Sequence, residues 1–241
     1  MNENLPQHVI KSFDEDLRRL RDMIARMGGL AERQVADSTY ALTRRDPQLA
    51  AIVVERDAEI DQLQRDVEAF AVRLLALRQP VAADLRFIVG ALKIAGDLER
   101  IGDHAKNNAK RAALLAQLPQ IGSMNGFLRL ARLVQENLKE AIDALVAGDA
   151  ARAKRVWAAD APIDEITNGI FREMLTHMME DPRAITPCTH MLFIAKNLER
   201  IGDHATNIAE AVYYAVRGDI LPESRPRAAE DDAAKATTPA G

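Results

Sequence analysis

Cysteine is almost absent from this chain of 241 residues, which contains Cys188 alone. A single cysteine excludes a disulfide within the chain and is typical of proteins in a reducing compartment. The segment 1–4 shows no basic region followed by an apolar one, so we expect no signal peptide and a cytoplasmic location. No catalytic signature surrounds Cys188, so we interpret it as a passive small residue.

Aromatic residues, long apolar runs and clustered basic residues are also scarce. Phe, Trp and Tyr make up 4% of the chain, and the abundant residues are Ala, Leu, Arg, Glu and Asp. This composition favours helices over strands. No apolar run approaches the roughly 18 residues of a membrane span, so we expect no direct membrane insertion. A net charge of -4 provides no basic face for nucleic acid.

One octapeptide, Leu-Glu-Arg-Ile-Gly-Asp-His-Ala, occurs twice, at residues 98–105 and again at residues 198–205. The similarity continues downstream, where Asn107 is matched by Asn207, and upstream, where residues 94–95 are matched by residues 194–195. A repeat of this kind predicts one structural unit that is used twice.

Apolar residues recur at three- and four-residue steps, which predicts an all-α fold with six long helices. We expect these helices over residues 12–45, 46–78, 82–117, 125–147 and 150–180, and from the break at 181–182 to about 217. Three long helices joined by short turns form an antiparallel bundle, and the repeat predicts two such bundles in tandem. The predicted domains are residues 1–118 and 122–217, followed by a disordered tail at 218–241 that lacks periodicity.

Small residues dominate the apolar seams of the third and the last predicted helix. The two seams are Ala91, Ala95, Leu98, Gly102, Ala105, Ala109 and Ala112, and Met191, Ala195, Leu198, Gly202, Ala205, Ala209 and Val212. Because Ala and Gly let neighbouring backbones approach closely, these seams predict tight packing with shallow crossing angles.

Carboxylates one helical turn apart occur in both octapeptides and in the helix that precedes each of them. With Pro80 as the hairpin turn, Asp61 and Glu99 each lie 19 residues from it. Asp57 and Asp103 each lie 23 residues from it. An antiparallel hairpin therefore brings four carboxylates to one level in each half. The eight residues are Asp57, Asp61, Glu99, Asp103, Asp160, Asp164, Glu199 and Asp203.

Four carboxylates at one level repel one another unless they stay solvated, raise their pKa values or bind cations. We expect cations because the arrangement occurs in both halves, and all-oxygen ligands suit Mg, Ca, Mn or iron. A solvated acidic face is the competing interpretation. The neighbouring polar residues would neutralise acids, orient water or ligands, or contact a partner: Arg100, His104, Asn107, Arg200, His204 and Asn207. The two histidines point away from the acids, so a packing or partner-surface role is at least as well supported as ligation.

The doubled octapeptide resembles the PhoU family of bacterial phosphate-transport accessory proteins, as does the Asn-Ile-Ala-Glu sequence at 207–210. The resemblance covers about residues 9–216 and implies two similar three-helix bundles without enzymatic activity. It implies a cytoplasmic negative regulator of the phosphate-starvation response, peripheral at the inner membrane through its partners. Those partners would be the ATPase of the phosphate ABC transporter and a sensor histidine kinase. It also implies iron or zinc clusters on the eight carboxylates, and a homodimer is an oligomeric state consistent with the sequence.

Pro162 departs from the pattern, because it stands between Asp160 and Asp164, and proline kinks or starts a helix. Asp160 is therefore expected to point away from Asp164. Two other functions match part of the sequence: a di-metal carboxylate oxidase in a helical bundle, and a purely structural helical adaptor without metal. Such oxidases typically carry Glu three residues before His, and none of the five histidines of this chain does.

Overall fold

The computed structural model describes residues 5–159 and 161–222, and for residues 5–12 it describes the backbone only. This part of the chain forms seven α-helices and one short 3-10 turn and contains no strand. The elements are α1 (Leu5–Arg44), α2 (Pro47–Arg78), α3 (Ala82–Leu115), α4 (Asn125–Ala147), α5 (Ala150–Ala158), α6 (Ala161–Glu180), the 3-10 turn Pro182–Ala184 and α7 (Ile185–Arg217). The all-α prediction is therefore confirmed.

Two bundles share one continuous core. Helices α1 and α2 pack on α3, helices α4, α5 and α6 pack on α7, and α3 and α7 pack on each other. The α3–α7 pair is antiparallel, because Asp97 contacts His204 whereas Asn108, further along α3, contacts Asn197. Every residue of the two predicted seams is buried. The seams therefore face the inside of their own bundles, and the predicted tandem architecture is confirmed.

Local side chains fix the turns between helices. Asp46 caps α2 by accepting a hydrogen bond from the Leu49 amide at 2.9 Å, and Pro47 occupies the first helical position, where its missing N–H costs nothing. Gly148 ends α4 with φ at 62°, a left-handed conformation that glycine adopts without strain. Asp149 then caps α5 by accepting from the amides of Ala151 and Arg152.

The middle helix of the second half differs from its prediction. A single helix was expected over residues 150–180, but α5 ends at Ala158 and α6 begins at Ala161. Pro162 accounts for the break, because it cannot donate to the carbonyl of Ala158 and its ring would clash there in a continuous helix. The first helix also differs, since it begins at Leu5 rather than at the expected residue 12.

The chain after α7 is described only as far as residue 222. The predicted disordered tail at 218–241 therefore falls mainly on residues 223–241, which lie outside the described residues. Within the described stretch, Leu221 is buried. Among the described helices, none combines the length and the apolar character that crossing a membrane requires.

Candidate functional site

The first acidic cluster comprises Asp57 and Asp61 of α2 and Glu99 and Asp103 of α3. Its centre is occupied by a residue that the sequence analysis did not single out. The Lys106 ammonium donates to Asp103 Oδ1 at 2.5 Å and also contacts Asp57 Oδ2. One lysine therefore joins carboxylates from two helices. The predicted hairpin register, which placed Asp57 level with Asp103, is confirmed by this shared partner.

Asp57 is the deepest member of the first acidic cluster, at 3% exposure. Gln34 of α1 donates to its other carboxylate oxygen, Oδ1, at 3.3 Å. Burial raises the pKa of Asp57, and Lys106 opposes that effect. Burial also works against the charge of Lys106, but hydrogen bonds from the ammonium to Asp103 and Asp57 outweigh it and raise the pKa of Lys106. The lysine is therefore a permanent cation within this cluster.

The two acids that α3 contributes to the first cluster, Glu99 and Asp103, are subject to the same opposing effects of burial and charge. Burial raises the pKa of Glu99, and the neighbouring Asp103 adds to the effect. For Asp103 burial acts in the same direction, but hydrogen bonding to Lys106 prevails and the pKa is lowered. Arg100 lies 3.4 Å from Glu99 Oε2 and 3.7 Å from Asp103 Oδ2, and because its side chain is largely exposed these pairs contribute little.

Among the described residues, the second acidic cluster comprises Asp164 of α6 and Glu199 and Asp203 of α7. Asp160 lies outside the described residues. The Lys196 ammonium contacts both oxygens of Glu199, at 2.7 and 2.6 Å. Within the described residues, Asp203 has no hydrogen bond or ion pair. Partial burial raises the pKa of Asp203, and the charges of Glu199 and Asp164 raise it further.

The two clusters differ in how well their residues suit a metal ion. Within residues 5–159 and 161–222, no group of three or more Asp, Glu, His or Cys side chains is arranged to hold a metal. In the first cluster the Lys106 ammonium contacts Asp57 and Asp103, two of the four carboxylates that would be ligands, and occupies the space between them. In the second cluster Asp203 and Asp164 are exposed and carry no lysine contact. Oxygen donors of this kind suit hard cations.

The two repeated histidines lie where α3 meets α7. The rings of His104 and His204 face each other, with centroids 5.6 Å apart. His204 Nδ1 lies 2.8 Å from Asp97 Oδ1, and Asn207 donates to the same oxygen at 3.3 Å. His104 Nδ1 is buried without a hydrogen-bond partner. Both histidines are therefore packed between α3 and α7, whereas Asn107 and Arg200 lie on the exposed surface.

Asp97 was not among the predicted site residues because it lies outside the octapeptide. A signal was nevertheless present, since the corresponding residue of the second copy is Asn197, one of the positions at which the two copies differ. Asn197 donates to Asn108 at 2.9 Å. The two copies therefore place different side chains on equivalent sides of the same helix contact.

Comparison with known proteins assigns the chain to a family. The PhoU domain matches it twice, over residues 24–112 and 127–212. The chain belongs to the PhoU family. A phosphate-specific transport system accessory protein PhoU homolog of Caulobacter vibrioides is 50% identical over 224 residues, which cover 92% of this chain and 97% of that protein. The homolog of Rhizobium meliloti is 47% identical over 222 residues, with 91% and 93% covered.

Solved structures of PhoU proteins have the same fold. The crystal structure of PhoU from Pseudomonas aeruginosa superposes with a TM-score of 0.81 at 42% identity, covering 86% of this chain and all of that one. A second structure, the phosphate transport system regulatory protein PhoU from Streptococcus pneumoniae, gives a TM-score of 0.81 at 28% identity, with 87% and 99% covered. The resemblance to PhoU proteins and the expected fold are thereby confirmed.

The histidine contact at the centre of this PhoU fold predicts a dependence of stability on pH. Burial, together with the charges of His204 and Arg200, lowers the pKa of His104 from 6.5 to about 4. Between these values the unfolded chain takes up a proton at His104 that the folded chain does not, so folding stability falls as the pH falls. We expect wild-type protein to lose about 2 kcal/mol more than a His104→Gln variant over this range. Urea unfolding of both proteins at a series of pH values measures the difference, and parallel curves would contradict the prediction.

Proposed function

We propose that this chain is a negative regulator of the phosphate-starvation response that couples the phosphate ABC transporter to its sensor histidine kinase. The observation that carries the proposal is the PhoU domain matched twice along one chain. The names of the relatives support a role in the regulation of phosphate transport, since they are called accessory or regulatory proteins of the phosphate transport system. The adaptor role, and the location beside the inner membrane on its cytoplasmic side, are part of the proposal.

A non-enzymatic role belongs to the same proposal. The relatives carry accessory and regulatory names rather than the name of a reaction. Part of each octapeptide is engaged in structure: Leu98 and Gly102 are packed in the core, and His104 and His204 face each other across α3 and α7. The octapeptides would therefore contact a partner through their exposed, charged side chains.

The proposed regulatory role is tested by deleting the gene in its host and following a phosphate-controlled promoter. We expect the promoter to become active in phosphate-rich medium after deletion and to be repressed again when the wild-type gene is restored. Unchanged repression in the deletion strain would rule out negative regulation. Co-purification of the tagged protein with the transporter ATPase and with the kinase tests the adaptor role separately, and loss of both associations would contradict it.

A divalent or iron cation on the second acidic cluster is a separate part of the proposal. It is supported by Asp203, whose carboxylate lies beside the charges of Glu199 and Asp164 and forms no ion pair among the described residues. Elemental analysis of protein purified without chelator tests it. We expect less bound metal in an Asp164→Asn, Asp203→Asn variant than in wild-type protein, and equal content in the two would contradict the proposal.

A further inference from the structure

Alignment of the two repeat copies shows that each contributes one lysine beside its Glu-x-x-x-Asp motif, at opposite ends. In the first copy the lysine is Lys106, three residues after Asp103, and the second copy has Thr206 in that place. In the second copy the lysine is Lys196, three residues before Glu199, and the first copy has Gly96 there. The same motif therefore carries its positive charge in two different positions.

Lys106 lies where the two helices of the first hairpin face each other. Its ammonium bonds to a carboxylate of α3 and to the buried carboxylate of Asp57 on α2. The second oxygen of Asp57 accepts from Gln34 of α1. Each oxygen of Asp57 thus has a donor from the protein itself, and the negative charge deepest in the cluster is already paired. A metal ion could bind this carboxylate only by displacing the ammonium into water.

Lys196, the lysine of the second cluster, makes different contacts from those of Lys106. Within the described part of the chain it contacts Glu199 alone, and its side chain is 45% exposed, compared with 22% for Lys106. The Thr206 hydroxyl, at the place of Lys106, is buried and donates to the Gly202 carbonyl in its own helix. Among the described residues, no side-chain cation therefore forms an ion pair with Asp203. In the part of the chain that the structure describes, a charge pair links α2 to α3 in the first cluster, and none links α6 to α7 in the second.

We infer that Lys106 is a built-in cation that joins Asp57 to Asp103 in the first acidic cluster, so that these two carboxylates do not take up a metal ion in the native protein. A positive charge between two carboxylates at close range stabilises both of them, and a lysine supplied by the same helix is present at every metal concentration. The first half thus retains the repeated carboxylates, while a lysine side chain takes the place of the metal ion. The inference does not depend on the regulatory role or on metal binding by the second cluster.

The first test labels lysines of wild-type protein with an amine-reactive reagent and reads each site by mass spectrometry. Labelling is compared without and with saturating Mn²⁺. We expect Lys106 to react slowly in both samples, because its ammonium stays paired with Asp57 and Asp103. A severalfold rise in Lys106 labelling on addition of Mn²⁺ would show that the metal displaces it, and would overturn the inference. The exposed Lys110 serves as the reference site.

The second test replaces Lys106 with threonine, the residue at the equivalent position of the second half. A Lys106→Thr variant is expected to bind one Mn²⁺ per chain more than wild-type protein, measured by equilibrium dialysis with elemental analysis. Adding Asp57→Asn to this variant should remove the gain. No gain in a folded Lys106→Thr variant would contradict the inference. If circular dichroism shows that the variant does not fold, the labelling of wild-type protein decides.

Discussion

Replacing Lys106 with methionine should lower the free energy of unfolding by about 3 kcal/mol, because it leaves the charge of buried Asp57 without its partner. Methionine retains most of the length of the lysine side chain, so the change removes the ammonium with little loss of packing. Urea unfolding followed by circular dichroism measures the effect. A double variant with Asp57→Asn should recover most of the loss, since the unpaired charge is then absent.

The matched control is Lys196→Met in the second half. This lysine is itself exposed and pairs with a glutamate of the same helix, and such pairs contribute less than about 1 kcal/mol. Comparable destabilisation by the two methionine variants would contradict the view that only Lys106 joins two helices through a buried carboxylate.

Replacing Gly102 with leucine should destabilise the protein by about 3 kcal/mol, because α2 and α3 leave no room for a side chain there. A Cβ atom at Gly102 would lie 3.0 Å from Ile60 Cδ1 and 3.2 Å from Asp57 Oδ1. A larger side chain therefore pushes the two helices apart and also disturbs the first acidic cluster. Thermal or urea unfolding gives the size of the effect.

Gly96 provides the control on the same helix. No atom lies within 4 Å of a Cβ placed at this position. A Gly96→Ala variant is expected to be up to about 1 kcal/mol more stable than wild type, because alanine restricts the unfolded chain and favours the helix. Destabilisation by Gly96→Ala would show that helix α3 is constrained along its length rather than at Gly102.

Much of the fold could be predicted because it depends on features that are local in sequence. The seams of α3 and α7 follow from apolar spacing, and the level of Asp57 with Asp103 follows from counting residues on either side of Pro80. Pro162 predicted a disturbance of the helix. Its result, two helices in place of one, became visible only in the geometry of the backbone. The start of α1 at Leu5 was missed because the capping residues of a helix are a weak signal beside the apolar pattern.

The candidate site was predicted less completely, because periodicity tells which face of a helix a residue is on and not what lies opposite. It placed His104 and His204 away from the apolar seam, and this is correct. In an isolated three-helix bundle that side would be exposed to solvent, whereas here α3 and α7 cover each other. The role of Lys106 was missed for a related reason: a lysine three residues after an aspartate is common on exposed helices, and only the approach of Asp57 from α2 distinguishes it.

The antiparallel contact between α3 and α7 is formed by two copies of one sequence that are joined in a single chain. In a homodimer of one copy, a substitution would appear on both sides of the interface, so aspartate beside one histidine would require aspartate beside the other. Covalent joining removes that constraint. Asp97 can pair with His204 while Asn197 occupies the equivalent place near His104, and the two halves stay together at any dilution because their encounter is intramolecular. Each half can therefore carry different side chains at equivalent positions while the interface between the halves is kept.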